Sequence, residues 1–296
     1  MFFLNSALAR LLLAVLPGIL GTLDPALSMG EGYLRLGLCD EAVTEYQRYL
    51  FFNAEGSQGL AGYAYFRIGI AYRNQGLWDK AVSAFEKSIQ SETDDFVRER
   101  RRLDLGLTLL AARSYSRAEF LLLKLELFSP VSEIQAEAAL YRGLCCLSED
   151  KWEEAKGAFK SFSAVNRSPG LAEAQDKVKM ILQEMESVRL RSPGLAKTLS
   201  TIIPGAGQIY SLDILDGLNA LSVNAALFYL ALSDLFSQRY YDALFNSLFL
   251  LERFYSGNRR NAPQAAQRFN HRQSEQIINK LLKTLEANER TPCPIS

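Results

Sequence analysis

Small apolar positions return at nearly constant intervals among the polar residues of the first half of the chain. One series of glycines, separated by 39, 37 and 37 residues, consists of Gly30, Gly69, Gly106 and Gly143. A series of alanines repeats the same three intervals, with Ala42, Ala81, Ala118 and Ala155. A fixed period in this range is typical of solenoids built from helical hairpins. Because such solenoids present extended surfaces, the pattern predicts an all-α protein that binds other proteins.

The second unit, between Tyr65 and Phe85, shows the pattern most clearly. Its first helix carries Gly69 and its second carries Ala81, and these small residues allow two antiparallel helices to pack closely. We expect Tyr65, Tyr72 and Phe85 to fill the space around this crossing. The order of these five residues resembles the tetratricopeptide repeat. That resemblance implies a helix-turn-helix unit and a protein-binding function.

Four such units cover residues 24 to 167, and their period exceeds the length of about 34 residues that is usual for that repeat. We expect the additional residues to lengthen helices or turns. Apolar residues then recur at three- and four-residue spacing between Leu171 and Leu190, which predicts one amphipathic helix. This helix is expected to cap the exposed end of the solenoid.

In the tetratricopeptide family, the first helices of successive units line a concave groove. The corresponding positions here are Tyr63, Phe66, Ile70, Arg73, Arg100, Leu103, Leu107 and Leu110. They predict an apolar groove with basic edges, suited to a helical or extended peptide with an acidic flank. Tyr63 and Phe66 would anchor the partner, and Arg73 or Arg100 would orient it. The alternative is that the apolar residues are simply covered by the flanking helix after the fourth unit.

The character of the chain changes at residues 191–194, where a Ser-Pro-Gly turn marks a domain boundary. Two apolar stretches follow, from Gly217 to Phe236 and from Tyr240 to Tyr255. The second stretch contains Glu252 and Arg253, which weakens it as a membrane span. A spanning helix needs about 20 mostly apolar residues, so hydropathy alone leaves either stretch open to a buried soluble helix.

A motif rich in glycine begins before the first apolar stretch, and we call it the membrane-entry motif. It consists of Pro204, Gly205, Gly207, Gln208, Tyr210 and Gly217. With the aromatic-Gly-Asn run after Phe254 and the Phe-Asn pair at 269–270, it resembles a bacterial membrane-hairpin module similar to the TM2 domain. The resemblance implies a two-helix membrane hairpin, joined to tetratricopeptide repeats behind a signal sequence. That module usually has glycine where Leu212 stands, so the turn geometry stays open there.

The residue types of the membrane-entry motif are suited to a point where the chain enters a membrane. Pro204 would end a helix, and Gly205 and Gly207 permit positive φ and close approach of the backbone. Gln208 and Tyr210 can bond the freed backbone groups, with Tyr210 at the level of the lipid headgroups. A phosphate-binding loop is disfavoured, because the glycine spacing fits neither the dinucleotide nor the Walker pattern.

The apolar run from Leu11 to Leu20, preceded by Arg10, is typical of a secretory signal sequence. Cleavage would fall after Gly21 or after Ser28. The earlier site is favoured, because it keeps Asp24 and Pro25 as an N-cap and N1 pair for the first repeat helix. A buried N-terminal helix or an uncleaved anchor is the alternative. Arginines flanking the hairpin favour cytoplasmic flanks, whereas a signal sequence favours external repeats. We expect the signal sequence to determine the orientation. This predicts a bacterial cell-envelope protein with its repeats in the periplasm.

Charge and cysteine usage narrow the classes of function. The chain carries 33 basic and 33 acidic residues, so nucleic acid is not an expected partner. Its four cysteines lack metal-ligand spacing, and His271 is its one histidine. We expect the adjacent Cys145 and Cys146 to pack inside a helix rather than to form a disulfide. The sequence therefore indicates no catalytic residues, no metal and no cofactor.

Four regions are predicted: a signal sequence or anchor over 1–23, a repeat solenoid with its cap over 24–190, a membrane-hairpin module over 191–258, and an amphipathic helix and tail over 259–296. We expect a non-enzymatic, membrane-anchored scaffold or adaptor whose partners are other proteins and membrane lipid. Self-association through the hairpin stays open. The alternative function is a membrane-protein assembly or insertion factor that acts through the hairpin.

Overall fold

The computed structural model describes residues 24–53, 58–165 and 171–289, and within these ranges it is α-helical with no strand. The predicted signal sequence or anchor, 1–23, lies outside the described residues. The chain forms two compact units. Unit 1 comprises the part up to Met185 together with the part from Ile278 onward, and unit 2 runs from Glu186 to Ile277. The predicted all-α fold class is confirmed.

The N-terminal part of unit 1 is a solenoid of consecutive helical hairpins followed by a single helix. Its helices are α1 (Pro25–Arg35), α2 (Cys39–Phe52), α3 (Gln58–Asn74), α4 (Trp78–Gln90), α5 (Asp95–Ala111), α6 (Tyr115–Phe128), α7 (Ser132–Ser148), α8 (Trp152–Ala164) and α9 (Ala172–Ser187). Each helix from α1 to α8 packs on its sequence neighbours. The apolar face of α9 is buried at Val178, Ile181 and Met185, which confirms the predicted amphipathic helix.

Each hairpin is closed by a glycine on its first helix and a large side chain sixteen residues later on its second. The four pairs are Gly30–Tyr46, Gly69–Phe85, Gly106–Leu122 and Gly143–Phe159. A methyl group added to Gly143 would lie 2.3 Å from the Phe159 ring, so no larger residue fits without a shift. The four large partners and the four repeated alanines are fully buried. The periodic small residues are therefore the helix crossings that the sequence predicts.

The turn inside every hairpin places a residue with positive φ seven positions after the closing glycine. These residues are Gly37, Gly76, Arg113 and Asp150, with φ of 77°, 73°, 59° and 57°. In each turn the following backbone N–H donates to the carbonyl five residues before it, as in a Schellman cap. Glycine adopts this conformation freely, so Arg113 and Asp150 hold a strained backbone.

Unit 2 begins with short helices, continues with one long apolar helix, and ends in a long polar one. Its elements are α10 (Pro193–Ile202), α11 (Ala206–Tyr210), α12 (Ile214–Phe236), α13 (Tyr240–Phe245), a π-helical segment (Asn246–Leu251) and the first part of α14 (Glu252–Glu289). The first predicted apolar stretch is one helix, α12. The second, 240–255, is instead divided among α13, the π-helical segment and the start of α14. The predicted boundary at residue 258 lies inside α14.

Candidate functional site

Three glycines of the membrane-entry motif bring the backbones of α10, α11 and α12 into contact. Gly205 has a φ of 92°, as predicted, and a methyl group there would lie 2.1 Å from the carbonyl oxygen of Gly217. A methyl group on Gly207 would lie 2.0 Å from the carbonyl oxygen of Ala196. One on Gly217 would lie 2.6 Å from the Ile209 side chain. Because backbone atoms cannot rotate aside, any larger residue at Gly205 or Gly207 must separate the helices.

Gln208 of the same motif is buried and joins three helices of unit 2. Its Oε1 accepts a hydrogen bond from Ser200 Oγ at 2.9 Å, and its Nε2 donates to Asn258 Oδ1. Ser200 Oγ also accepts from the Gly207 N–H at 2.9 Å. These bonds connect α10, α11 and α14 through uncharged groups. The sequence predicts bonds from Gln208 to freed backbone groups, and this prediction is wrong for its main partners, which are side chains. One longer contact reaches the Asn258 carbonyl at 3.4 Å.

Pro204 and Tyr210 stand at the two ends of the short α11 region. The helix α10 ends at Ile202, two residues before Pro204, as expected for a residue that cannot continue a helix. The Tyr210 hydroxyl accepts a hydrogen bond from the Ser192 N–H at 3.2 Å. The Arg191 guanidinium lies over the Tyr210 ring, 4.9 Å from its centroid. Tyr210 therefore holds the start of α10, and its place at the headgroup level stays a prediction.

Leu212 occupies the position where the resembled membrane module has glycine. Its φ is 61°, in the left-handed region, and the Asp213 N–H donates to the Gln208 carbonyl at 2.9 Å. The same cap recurs after α12, where Gln238 has a φ of 58°. The turn is therefore the one used in the repeat hairpins, and the departure from glycine strains the backbone without changing the turn.

Helix α12 carries a broad apolar surface that the described part of the protein leaves exposed. Large exposed side chains on it include Leu215, Leu218, Leu221, Phe228, Leu230 and Phe236. Within the described residues, α12 is the one helix that is long and apolar enough to cross a membrane. Near its end, the Asp234 carboxylate accepts from Asn246 Nδ2 at 2.6 Å and lies 2.6 Å from the Arg239 guanidinium. These polar groups thus bond between neighbouring segments.

The predicted groove residues of unit 1 lie along α3 and α5, and several are engaged inside the solenoid. Phe66 and Leu103 are buried, with 7% and 1% of their surfaces exposed. The Tyr63 hydroxyl donates to Glu31 Oε1 at 2.8 Å. The apolar groove residues that stay partly exposed are Ile70, Leu107 and Leu110. These three provide the apolar surface that a partner could reach.

Ion pairs connect the first helices of successive hairpins. Three such pairs are Arg67–Glu31, Arg73–Asp104 at 3.5 Å and Arg100–Glu137 at 2.7 Å. Burial raises the pKa of the Asp104 and Glu137 carboxyls, although the neighbouring guanidinium groups oppose that shift. Arg73 and Arg100, the residues predicted to orient a partner, thus lie against carboxylates of the solenoid itself.

A cleft of about 530 Å³, which the repeat pattern does not predict, lies between α2, α3 and α4. The half-buried Tyr65 and Tyr72 line it, and the Lys87 and Lys80 ammonium groups lie 5.7 and 5.5 Å from their ring centroids. Both tyrosines are half-buried and pack against the core formed by α1–α4, so they lie around the hairpin crossing, as the sequence predicts. Their seven-residue spacing equals that of the lysines, and this is the signal that could have paired them across antiparallel helices.

The cysteines of α7 are structural. Cys145 and Cys146 are free and fully buried, which confirms that they pack rather than pair. Burial raises the pKa of both thiols to about 12, so neither is a thiolate at neutral pH. In the described ranges, no cluster of histidine, cysteine, aspartate or glutamate could hold a metal ion.

Comparison with known proteins supports the assignment of the repeats. Residues 63–92 match the family model of the tetratricopeptide repeat, and this range holds most of α3 and all of α4. The matched hairpin is the one whose sequence pattern is clearest. No match to a curated protein was found. Together with the consecutive packing of the helices, the match identifies unit 1 as a tetratricopeptide-like helical solenoid, a class that generally binds other proteins.

Proposed function

We propose that the protein is a non-enzymatic scaffold, anchored in a membrane through α12, that binds protein partners along its solenoid. The observation that carries the proposal is the exposed apolar surface of α12. Exposed apolar patches of this extent mark interaction surfaces, and a helix that satisfies its own backbone is suited to lipid. The proposed setting is the bacterial cell envelope, with the repeats in the periplasm.

The neighbouring segments support membrane anchoring. Large apolar side chains on α13 and the π-helical segment are also exposed, and they include Tyr241, Phe245, Leu248 and Phe249. The pairing of Asp234 with Asn246 and Arg239 removes isolated charge from this surface. Paired polar groups of this kind are the form in which ionisable residues are tolerated at a membrane.

Alkaline extraction tests the anchor on the full-length protein. We expect the parent to stay in the membrane fraction after a carbonate wash. The double variant Leu221→Asp, Phe228→Asp should be released, because each charge near the centre of a spanning helix costs about 2.5–3.5 kcal/mol. Leu127→Asp is a matched control, since Leu127 is an exposed apolar residue of unit 1. Release of the parent would contradict anchoring through α12.

Site-specific crosslinking tests the solenoid as the binding surface. A photoreactive residue at position 107 should crosslink to a protein partner in cells, and one at the exposed Phe120 on α6 should not. Leu107→Ser with Leu110→Ser should remove partner capture and leave helicity intact. Capture that survives this change would exclude the groove. Crosslinks confined to positions on α12 would instead support a membrane-protein assembly factor.

A reporter inserted after Leu190 tests the proposed orientation. External repeats predict activity from a reporter that works in the periplasm alone. They also predict a mature protein that lacks roughly its first 20–28 residues. Cytoplasmic reporter activity at this junction would reverse the topology and leave the anchoring itself unaffected.

A further inference from the structure

Unit 2 contains an open cavity of about 570 Å³, which we call the arginine cavity. One wall belongs to α12 and includes Asp216, Asn219 and Asn224. The other wall belongs to α14 and includes Arg253, Asn258 and Arg260. A cavity beside the most apolar helix of the described protein would ordinarily be lined by apolar side chains. Arginine and amide groups lie here among apolar side chains such as Val223 and Phe254, so the lining indicates a ligand with both a polar and an apolar part.

The charge of the arginine cavity is positive. Arg268, at one end, is compensated, because it lies 2.6 Å from Asp213 and 3.8 Å from Asp216. Arg253 and Arg260 make no ion pair within the part of the chain that the structure describes. Two guanidinium groups thus face the cavity without a protein carboxylate bonded to them. Such an arrangement suits an anion with several oxygens, since guanidinium groups bind phosphate in a planar fork.

Two buried asparagines of this cavity each leave one polar atom without a partner. Asn224 is 4% exposed, and its Nδ2 donates to the Ala220 carbonyl while its Oδ1 has no hydrogen bond. Asn258 is 5% exposed, and its Oδ1 accepts from Gln208 while its Nδ2 has no hydrogen bond. Buried polar atoms are rarely left unpaired. Both atoms are enclosed by the protein, so a ligand reaches them only after each amide rotates slightly towards the cavity. The ligand then accepts one hydrogen bond from Asn258 and donates one to Asn224.

We infer that the arginine cavity binds the headgroup of an anionic phospholipid that carries a free hydroxyl, such as phosphatidylglycerol. Arg253 and Arg260 hold the phosphate oxygens, and Asn258 Nδ2 donates to one of them. Asn224 Oδ1 accepts from the headgroup hydroxyl. This inference rests on the proposed membrane anchoring, because α12 forms one wall of the cavity. Basic groups beside a spanning helix meet anionic headgroups at the membrane surface.

Lipid binding by the full-length protein in a neutral detergent provides the test. Native mass spectrometry should show phosphatidylglycerol retained in preference to phosphatidylcholine. The double variant Arg253→Gln, Arg260→Gln should weaken phosphatidylglycerol binding by about tenfold or more, because it removes two charge-assisted contacts. Arg259→Gln is the matched control, since Arg259 is exposed on the same helix and does not line the cavity. Equal binding by the parent and the double variant would overturn the inference.

Two further experiments test the role of the amide groups and whether the ligand is a lipid or a free phosphate. Asn258→Asp keeps the acceptor for Gln208 but removes the donor and adds negative charge, so it should reduce phosphatidylglycerol binding and spare membrane retention. Binding of glycerol phosphate or inorganic phosphate, with none of phosphatidylglycerol, would overturn the lipid assignment. Carbonate washing of the parent and the same variants distinguishes failure of the headgroup site from failure of the membrane anchor. If the parent stays in the membrane fraction but binds phosphatidylglycerol and phosphatidylcholine equally, the headgroup site is refuted and the anchor stands. If the parent itself is washed from the membrane, the anchor is refuted.

Discussion

The two units close their helix crossings with glycine, but the atoms that face the glycine differ. In unit 1 the closing glycine faces a side chain, as Gly143 faces the Phe159 ring. In unit 2 both Gly205 and Gly207 face backbone carbonyl oxygens. A side chain can be shortened by a second substitution, whereas a backbone carbonyl cannot. The repeats can therefore accept compensated change at their crossings, and the membrane-entry motif cannot.

The two units also differ in the kind of polar group that connects their helices. Unit 1 connects successive hairpins through arginine and carboxylate groups, of which Arg100–Glu137 is one pair. Unit 2 connects its helices around Gln208 through hydroxyl and amide groups. Charged pairs respond to pH and uncharged hydrogen bonds do not. The difference predicts that a change of pH alters the stability of unit 1 more than that of unit 2.

The largest effect is expected from Gly205→Ala. The substitution combines a left-handed φ with a 2.1 Å contact to a backbone oxygen, so we expect a loss of about 3 kcal/mol or more in the stability of this region. Hydrogen exchange across α10–α12 of the full-length protein in detergent measures it. Gly257→Ala is the control, because a methyl group there meets nothing within 4 Å. Unchanged protection in Gly205→Ala would contradict the backbone contact.

A smaller and repairable effect is expected at Gly143. Gly143→Ala should reduce the stability of unit 1 by about 1–3 kcal/mol, because the Phe159 ring is fully buried and has little room to move. Adding Phe159→Leu should recover part of this loss, with a coupling of about 1 kcal/mol in a double-mutant cycle. Gly157→Ala, whose methyl group meets nothing within 4 Å, serves as the control. Strictly additive effects would remove the distinction between the two units.

The response to pH should distinguish the units next. Burial raises the pKa of Asp104 in the folded state, so the folded chain binds more protons than the unfolded chain between the two pKa values. The unfolding free energy of unit 1 therefore falls as pH rises from about 4 through that window. Asp104→Asn should flatten this dependence, as followed by thermal unfolding at a series of pH values. An unaltered slope would show that Asp104 does not titrate as described.

The smallest effects concern the turns that both units share. Asp150→Gly in unit 1 and Leu212→Gly in unit 2 should each stabilise by about 1 kcal/mol or less, because both residues hold a positive φ. Glu149→Gly is the control for the first, since its φ of −103° gives glycine no advantage. Melting temperatures of the four proteins provide the comparison. Destabilisation by both test substitutions would show that side-chain contacts outweigh the strain.

The crossings of unit 1 could be predicted because their signal is periodic and local. Gly69 and Ala81 lie twelve residues apart within one hairpin, and the pattern recurs in every unit. Which aromatic residue of α3 is buried could not be predicted. Tyr65 and Phe66 are adjacent, and Phe66 is covered because the Phe85 ring and the Arg101 guanidinium lie against it from other helices. Such contacts depend on packing that no spacing within α3 encodes.

In unit 2 the individual glycines could be predicted but their partners could not. Gln208 meets Asn258 across fifty residues of chain, and no repeat connects the two positions. The division of the second apolar stretch was also missed. Its polar residue Asn246 bonds Asp234, and a π-helical segment begins there. A π-helical segment encloses one additional residue in each hydrogen-bonded turn, and a hydropathy pattern does not reveal this change.

The ion pairs between hairpins assign an order to the repeats. Arg67 and Asp104 occupy equivalent places, two residues before the closing glycines of the second and third hairpins. If those hairpins were exchanged, Asp104 would take the position of Arg67 beside Glu31, and two buried carboxylates would face each other. Repeats that share a backbone but differ in the sign of one charge are not interchangeable during folding. After duplication, divergence of these charges would protect a growing array from pairing with the wrong neighbour.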